Sequence, residues 1–258
     1  MEDVILTVLG ASGTYPRPGG ACNGFLIREE GYSLVIELGN GCLSNLLREV
    51  KLTAIDAVLI THMHIDHFGD LYPLYYALRF HPLKPWGLRL ILPEGGLEHM
   101  GRILSPEARE YLPRVFREET LQDGKDYQVG SMLVRAFPTR HPVEGYAVRV
   151  EGEGWTLAYS SDTSLTPALE EAARGADLFI CEATLPDSYR EEASHGHLTS
   201  RQAGEAARRA GVRRLLLTHI WPTFDTEEVL AEAAEAFGGD AEVAREGMRI
   251  RLGGGKDG

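Results

Sequence analysis

The stretch LITHMHIDHFGD, residues 59–70, sets His62, His64, Asp66 and His67 within six residues. Imidazole nitrogens and a carboxylate at this density are donors for a divalent metal ion. Zinc suits the mixture first, with manganese or iron also able to use it. The preceding run AIDAVL reads as a buried strand, so the donors fall on the loop that leaves its end. Histidines also cluster on solvated loops. An imidazole-dense loop at the end of a buried strand is, however, where metals are usually held.

Three further donors share that placement. His141 follows VRAFPTR, Asp162 follows WTLAYSS and His219 follows RRLLLT. Any one of them alone is more often a packing or hydrogen-bonding residue than a ligand. Together they place a donor just past each of several apolar strands, so one sheet edge can gather them all.

The elements that must do the gathering are legible. Strand patterns occur at VILTVLG, NGFLIREE, YSLVIELG, DAVLI, LRLILP, MLVRAFP, YAVRVEG, WTLAYSS, DLFICE and RRLLLTH. TPALEEAARG has a Thr cap, Pro at the first helical position and a Gly stop. TSRQAGEAARRAG has Thr199 and Gln202 spaced as a capping box, with Gly211 ending the helix. DTEEVLAEAAEAFGG repeats the pattern. A strand-rich first half followed by alternating strands and helices predicts sheets covered by helices in layers, as one domain over residues 1–258. Only the terminal GGGKDG reads as frayed. Tyr72, Tyr75, Tyr76 and Phe80 in LYPLYYALRF recur at helical spacing and read as a core stripe.

Composition narrows the function. The chain has 258 residues, and 38 acidic against 26 basic side chains give a net charge of −12. That balance opposes an extended nucleic-acid surface, because neutralising phosphates drives such binding. No apolar run approaches a membrane span, and MEDVILTVLG has acids where a signal peptide has basic residues. Cys22, Cys42 and Cys181 are odd in number, with no CxxC spacing. They read as reduced, mostly buried residues of a cytoplasmic protein.

THMHIDH resembles the H-x-H-x-D-H signature of the metallo-β-lactamase fold, and His141, Asp162 and His219 match its remaining ligands in order. The chain is similar to the ribonuclease Z-like branch in VLGASGTYPRPGGACNGFLI, in SSDT around Asp162, in CEAT at Glu182 and in GHLTSRQAGEAA around His197. The resemblance implies an α/β fold, a four-layer αβ/βα sandwich with the metal site at one edge of the sheets. It implies two Zn²⁺ per chain. His62, His64 and His141 would hold one ion; Asp66, His67 and His219 the other; Asp162 would bridge them. A hydroxide between two ions about 3.5–4 Å apart would be the nucleophile. Asp66 would also accept a proton. His197, two residues before the Thr199 cap, would donate to a phosphate oxygen or protonate the leaving alkoxide, with Glu182 orienting it.

The chain departs from the branch at one place. Ribonuclease Z enzymes carry a Gly/Pro-rich tRNA-gripping arm between the ligands matching His141 and Asp162. Here those residues are 21 positions apart, and the segment reads as two strands and a turn. The expected activity is therefore a phosphodiesterase acting on a small phosphodiester or cyclic nucleotide. A tRNA 3′-processing endonuclease, and a hydrolase of a non-phosphate ester, thioester or lactam, are the alternatives. His64 argues against the flavin-linked diiron relatives, which have glutamate there. The expected partner is a small-molecule substrate, with no membrane, and a homodimer is left open. His81, His99 and His195 fall outside the pattern and read as solvated or structural, with His195 the candidate exception at a pocket rim. Trp221 either lines the pocket or packs. GASGTYPRPGG is weak as a nucleotide motif and reads as a turn near the active-site edge.

Overall fold

A computed structural model describes residues 4–253. Of the terminal GGGKDG, the part after Gly253 lies outside the described residues. The chain opens with strands β1 (Val4–Gly10), β2 (Gly24–Glu29) and β3 (Tyr32–Leu38). Then come helix α1 (Cys42–Glu49), β4 (Ala57–Leu59), helices α2 (Ile65–Phe68) and α3 (Leu71–Phe80), β5 (Leu88–Leu92), helices α4 (Gly96–Gly101) and α5 (Pro106–Val115), and β6 (Phe116–Thr120). The second half holds β7 (Asp126–Val129), β8 (Met132–Pro138), β9 (Tyr146–Gly152) and β10 (Trp155–Tyr159). It continues with α6 (Pro167–Ala173), β11 (Leu178–Glu182), α7 (Arg190–Ala193), α8 (Ser200–Ala210) and β12 (Arg214–Thr218). Helix α9 (Thr226–Phe237), β13 (Asp240–Val243) and β14 (Arg249–Leu252) close it.

The strands form two seven-stranded sheets, in orders β14-β1-β2-β3-β4-β5-β6 and β13-β12-β11-β10-β9-β8-β7. Each is antiparallel on one side and parallel on the other. β3 to β6 run parallel in the first sheet, and β10 to β13 in the second. Alternate residues of a strand point to opposite faces, and here both faces are buried. Phe25 and Ile27 pack between the sheets, while Leu26 meets the first helical layer. Ile180 faces the other sheet, while Phe179 and Cys181 face α6, α8 and α9 through Ala172, Ala203 and Val229. Double burial is why these strands read as unbroken apolar runs. The result is a four-layer α/β/β/α sandwich.

Two expectations need correction. Strand–helix alternation is not confined to the later chain, since α1 and α3 to α5 cover the first sheet. The aromatic stripe of α3 is only partly core. Leu71, Leu74, Tyr75 and Leu78 set the buried face, and Tyr76 and Phe80 lie turned away from it. Both are exposed, and their rings stack with an interplanar angle of 6°. The capping signals act as read. Thr199 accepts from the Gln202 amide, Gln202 returns the bond, and Gly211 closes α8 in the left-handed conformation. All three cysteines are buried and unpaired.

Candidate metal centre

Every predicted ligand sits beyond the end of a strand or on the short helix that follows one. His62 is the third residue after β4, and α2 begins directly after His64 and carries Asp66 and His67. His141 follows β8, Asp162 follows β10, and His219 comes directly after β12. Two backbone bridges clasp the sheets at this edge, Ser12 to Ile220 and His62 to Gly145. The strain is local as well. Six non-glycine residues among those described have positive φ, and four surround the site: Thr14, Glu37, Ser161 and His219. An L-residue holds this conformation only where its surroundings dictate it. The Ser161 kink (φ 54°) turns the chain just before Asp162.

The predicted donors converge in two adjacent groups. Donor atoms of His62, His64, His141 and Asp162 lie within 4.8 Å of one another, as do those of Asp66, His67 and His219. His141 Nε2 is 3.0 Å from His64 Nδ1, and His67 Nε2 is 3.2 Å from His219 Nε2. Two nitrogens that share a tetrahedral ion at about 2.0–2.1 Å are separated by about 3.3 Å. Asp162 lies between the groups. Its Oδ2 is 3.7 Å from His62 Nε2 and 3.4 Å from His219 Nε2, and its Oδ1 is 3.5 Å from His67 Nε2. His62 Nε2 and Asp162 Oδ1 are buried without a hydrogen-bond partner, a costly arrangement that a cation between them relieves. The donor set thus fits a dinuclear metal site.

The far ring nitrogens of His141, His219 and His62 are also held, as metal-binding histidines require. His141 Nδ1 bonds the Gly196 carbonyl at 2.8 Å, and His219 Nδ1 bonds the Thr184 hydroxyl at 2.8 Å. His62 Nδ1 has the Thr61 and Ser161 hydroxyls at 3.3 Å. His67 Nδ1 faces Glu37, 3.4 Å away. Burial pushes the His62 imidazole well below its usual value, and it lowers His64 too, favouring the neutral form that binds metal. Asp66 Oδ2 accepts the Thr14 amide at 2.7 Å, so the GASGTYPRPGG turn does run along the site edge.

His197 and Glu182 meet beside these groups. The Glu182 carboxylate is fully buried and accepts from the Thr163 amide, the Thr184 hydroxyl and His197 Nδ1, the last at 3.1 Å. The His197 ring stacks on His219, with centroids 5.6 Å apart, and its Nδ1 is 3.8 Å from Asp162 Oδ2. Burial works against a charged His197, but the Glu182 carboxylate, helped by Asp162, pushes it up to about 9.

His99 and His195 are exposed and His81 is half-buried, and none of the three belongs to either group. Trp221 packs, stacking on Phe224 at 6.2 Å. Sequence reading passed over Glu37, although it is the one charge in the apolar run VIEL. It also passed over Gly196. A Cβ there would lie 2.9 Å from His141 Nδ1 and 2.7 Å from Pro142, at φ 129°. Gly196→Ala should therefore displace His141 and weaken one ion by about 10–100-fold while the other stays. Competition titration against a chelator checks this, and two undisturbed sites would contradict it.

A four-layer sandwich with paired His/Asp groups at its sheet edge defines a metal-dependent hydrolase of the metallo-β-lactamase fold. Residues 39–220 match the Beta-lactamase superfamily domain, and the chain belongs to that family. It is 36% identical over 241 residues to the uncharacterized protein ML1173 of Mycobacterium leprae, covering 92% of this chain and 84% of that one. It is 31% identical over 250 residues to the probable metallo-hydrolase YhfI of Bacillus subtilis, covering 94% and 98%. The crystal structure of YhfI superposes with a TM-score of 0.87 at 27% identity, over 97% of this chain and all of that one. Ribonuclease Z of Methanopyrus kandleri is 28% identical over 286 aligned positions, covering 97% of this chain and 99% of the relative.

Proposed function

We propose that this chain is a dinuclear zinc phosphodiesterase for small substrates, cyclic nucleotides among them, with His62, His64, Asp66, His67, His141, Asp162 and His219 as ligands. The observation that carries the reaction type is His197, whose Nδ1 lies 3.1 Å from the buried Glu182 carboxylate beside the two donor groups, a contact that favours the protonated ring. A cation there suits an anionic ester whose leaving oxygen needs a proton. When bound, the ions activate water and neutralise charge on the phosphoryl oxygens. The protein's own part is to aim. Asp162 fixes the spacing of the two groups, Asp66 offers a carboxylate to an incoming proton, and Glu182 keeps His197 oriented.

Substrate size follows from the segment between His141 and Asp162. It is occupied by the β9–β10 hairpin, paired from Gly152 with Trp155 to Val148 with Tyr159. The alignment with the Methanopyrus ribonuclease Z needs 286 positions against 258 residues here, so that enzyme has residues without a counterpart in this chain. Both favour a chain without a tRNA-gripping arm, and the net charge of −12 points the same way.

The test is a panel assay on protein shown by elemental analysis to hold two ions. Chromogenic diesters and cyclic nucleotides should be cleaved with kcat/KM well above that for precursor tRNA at physiological salt. Comparable or better cleavage of precursor tRNA would make it the endonuclease. Faster turnover of a lactam or thioester would replace the phosphodiester reading altogether.

A further inference from the structure

The Thr184 hydroxyl lies at the junction of three functional side chains and is completely buried. It contacts Glu182 Oε2, sits 2.8 Å from His219 Nδ1 and lies 3.4 Å from His197 Nδ1. Its backbone is fixed. The Ala183 amide bonds the Thr218 carbonyl, and the Trp221 amide bonds the Thr184 carbonyl, so the two chain segments pair on either side of His219.

A threonine hydroxyl has one hydrogen and two lone pairs. Glu182 is surrounded by donors: the Thr163 amide, Thr184 and His197. It is therefore the acceptor, and the Thr184 hydrogen goes to its carboxylate. The oxygen is then left with lone pairs only, so His219 Nδ1 must be the N–H that donates to it. That assignment fixes the tautomer of His219 and leaves Nε2 bare, facing Asp66 Oδ2 at 3.3 Å and Asp162 Oδ2 at 3.4 Å.

We propose that Thr184 is a positioning residue that locks the His219 tautomer, using the same Glu182 carboxylate that orients His197. This rests on the reading of His219 as a metal ligand. One buried carboxylate then anchors both the proton donor and, through a hydroxyl, one side of the metal site.

Removing such a support typically costs about 10–100-fold in metal affinity. Thr184→Val keeps the shape but loses the hydroxyl, so it should weaken one of the two ions by that factor. Thr184→Ser should restore the affinity to near wild type. In ¹⁵N-labelled zinc-loaded protein, the His219 ring should report Nδ1–H in the wild type and the Ser variant, and a mixture of ring states in the Val variant. Wild-type affinity for both ions in Thr184→Val, with His219 unchanged in tautomer, would overturn the proposal. If Thr184→Ser bound as poorly as Thr184→Val, the hydroxyl would not be the cause, and the proposal would fail as well. His219→Ala separates this from the underlying reading. If that variant holds both ions at wild-type affinity, His219 is no ligand and the metal assignment itself falls. If it loses one ion while Thr184→Val loses none, only the Thr184 inference falls.

Discussion

Asp162→Ala is expected to lose both ions and to cut turnover on any ester by at least about 10³-fold, the scale of losing preorganised electrostatic stabilisation. The reason is placement. His62 belongs to one donor group, His67 and His219 to the other, and the two Asp162 oxygens reach all three within 3.4–3.7 Å. Loss of a ligand that serves one group alone leaves the other complete. Loss of Asp162 also leaves nearby buried imidazoles without the anion that balances a bound cation. Asp162→Asn keeps the shape and one lone-pair oxygen, so it should retain part of the metal and little activity. Elemental analysis after gel filtration, with kinetics on a nitrophenyl diester, reads both effects. Two tightly held ions and normal turnover in Asp162→Ala would remove Asp162 from the bridging position.

Several of the candidate ligands were legible in the sequence because they follow apolar strands, and a strand buried on both faces cannot hide its ends. The parallel strands β4, β10 and β12 are such runs, and His62, Asp162 and His219 lie just past them. The same logic fails at the edges of the sheets. β6 reads FREET with residues 117 and 118 exposed, and β13 reads DAEV with no fully buried residue, so neither has an apolar signature. Helix α5 carries Pro113 in its body, which masks it as a helix. In α3, aromatic spacing suggested the core face, but the leucines decide it, because only one side of the helix meets the first sheet. The supports of the candidate ligands were less visible still. Gly196 acts through a carbonyl, Thr14 through an amide and Thr184 through a hydroxyl, groups whose partners are set by tertiary contact and leave no pattern in the chain. Glu37 and Glu182 differ, since each is an acid at the end of an apolar strand and is recognisable by that alone.

His197→Ala is expected to keep both ions and lose about 10²–10³ in kcat on phosphodiesters, as when a preorganised donor is removed. His197 points its Nδ1 at Glu182, and the seven ligands proposed above do not include it, so on that reading its loss leaves both groups complete. The size of the loss should depend on the leaving group. An alkoxide needs a proton as its bond to phosphorus breaks, whereas nitrophenolate departs without one, so the nitrophenyl ester should suffer less. The wild-type pH profile carries the matching sign. The donor is the protonated ring, so turnover should fall as pH rises through the value of His197. Glu182 and Asp162 push that value up to about 9, and two bound cations would pull it back down, so the alkaline limb should lie at or below about 9. In His197→Ala that limb should vanish for the ester with the poor leaving group. Metal loss in the variant would instead make His197 a ligand. Unchanged kinetics on both esters, with metal intact, would leave it a histidine that only fills the space between Glu182 and His219.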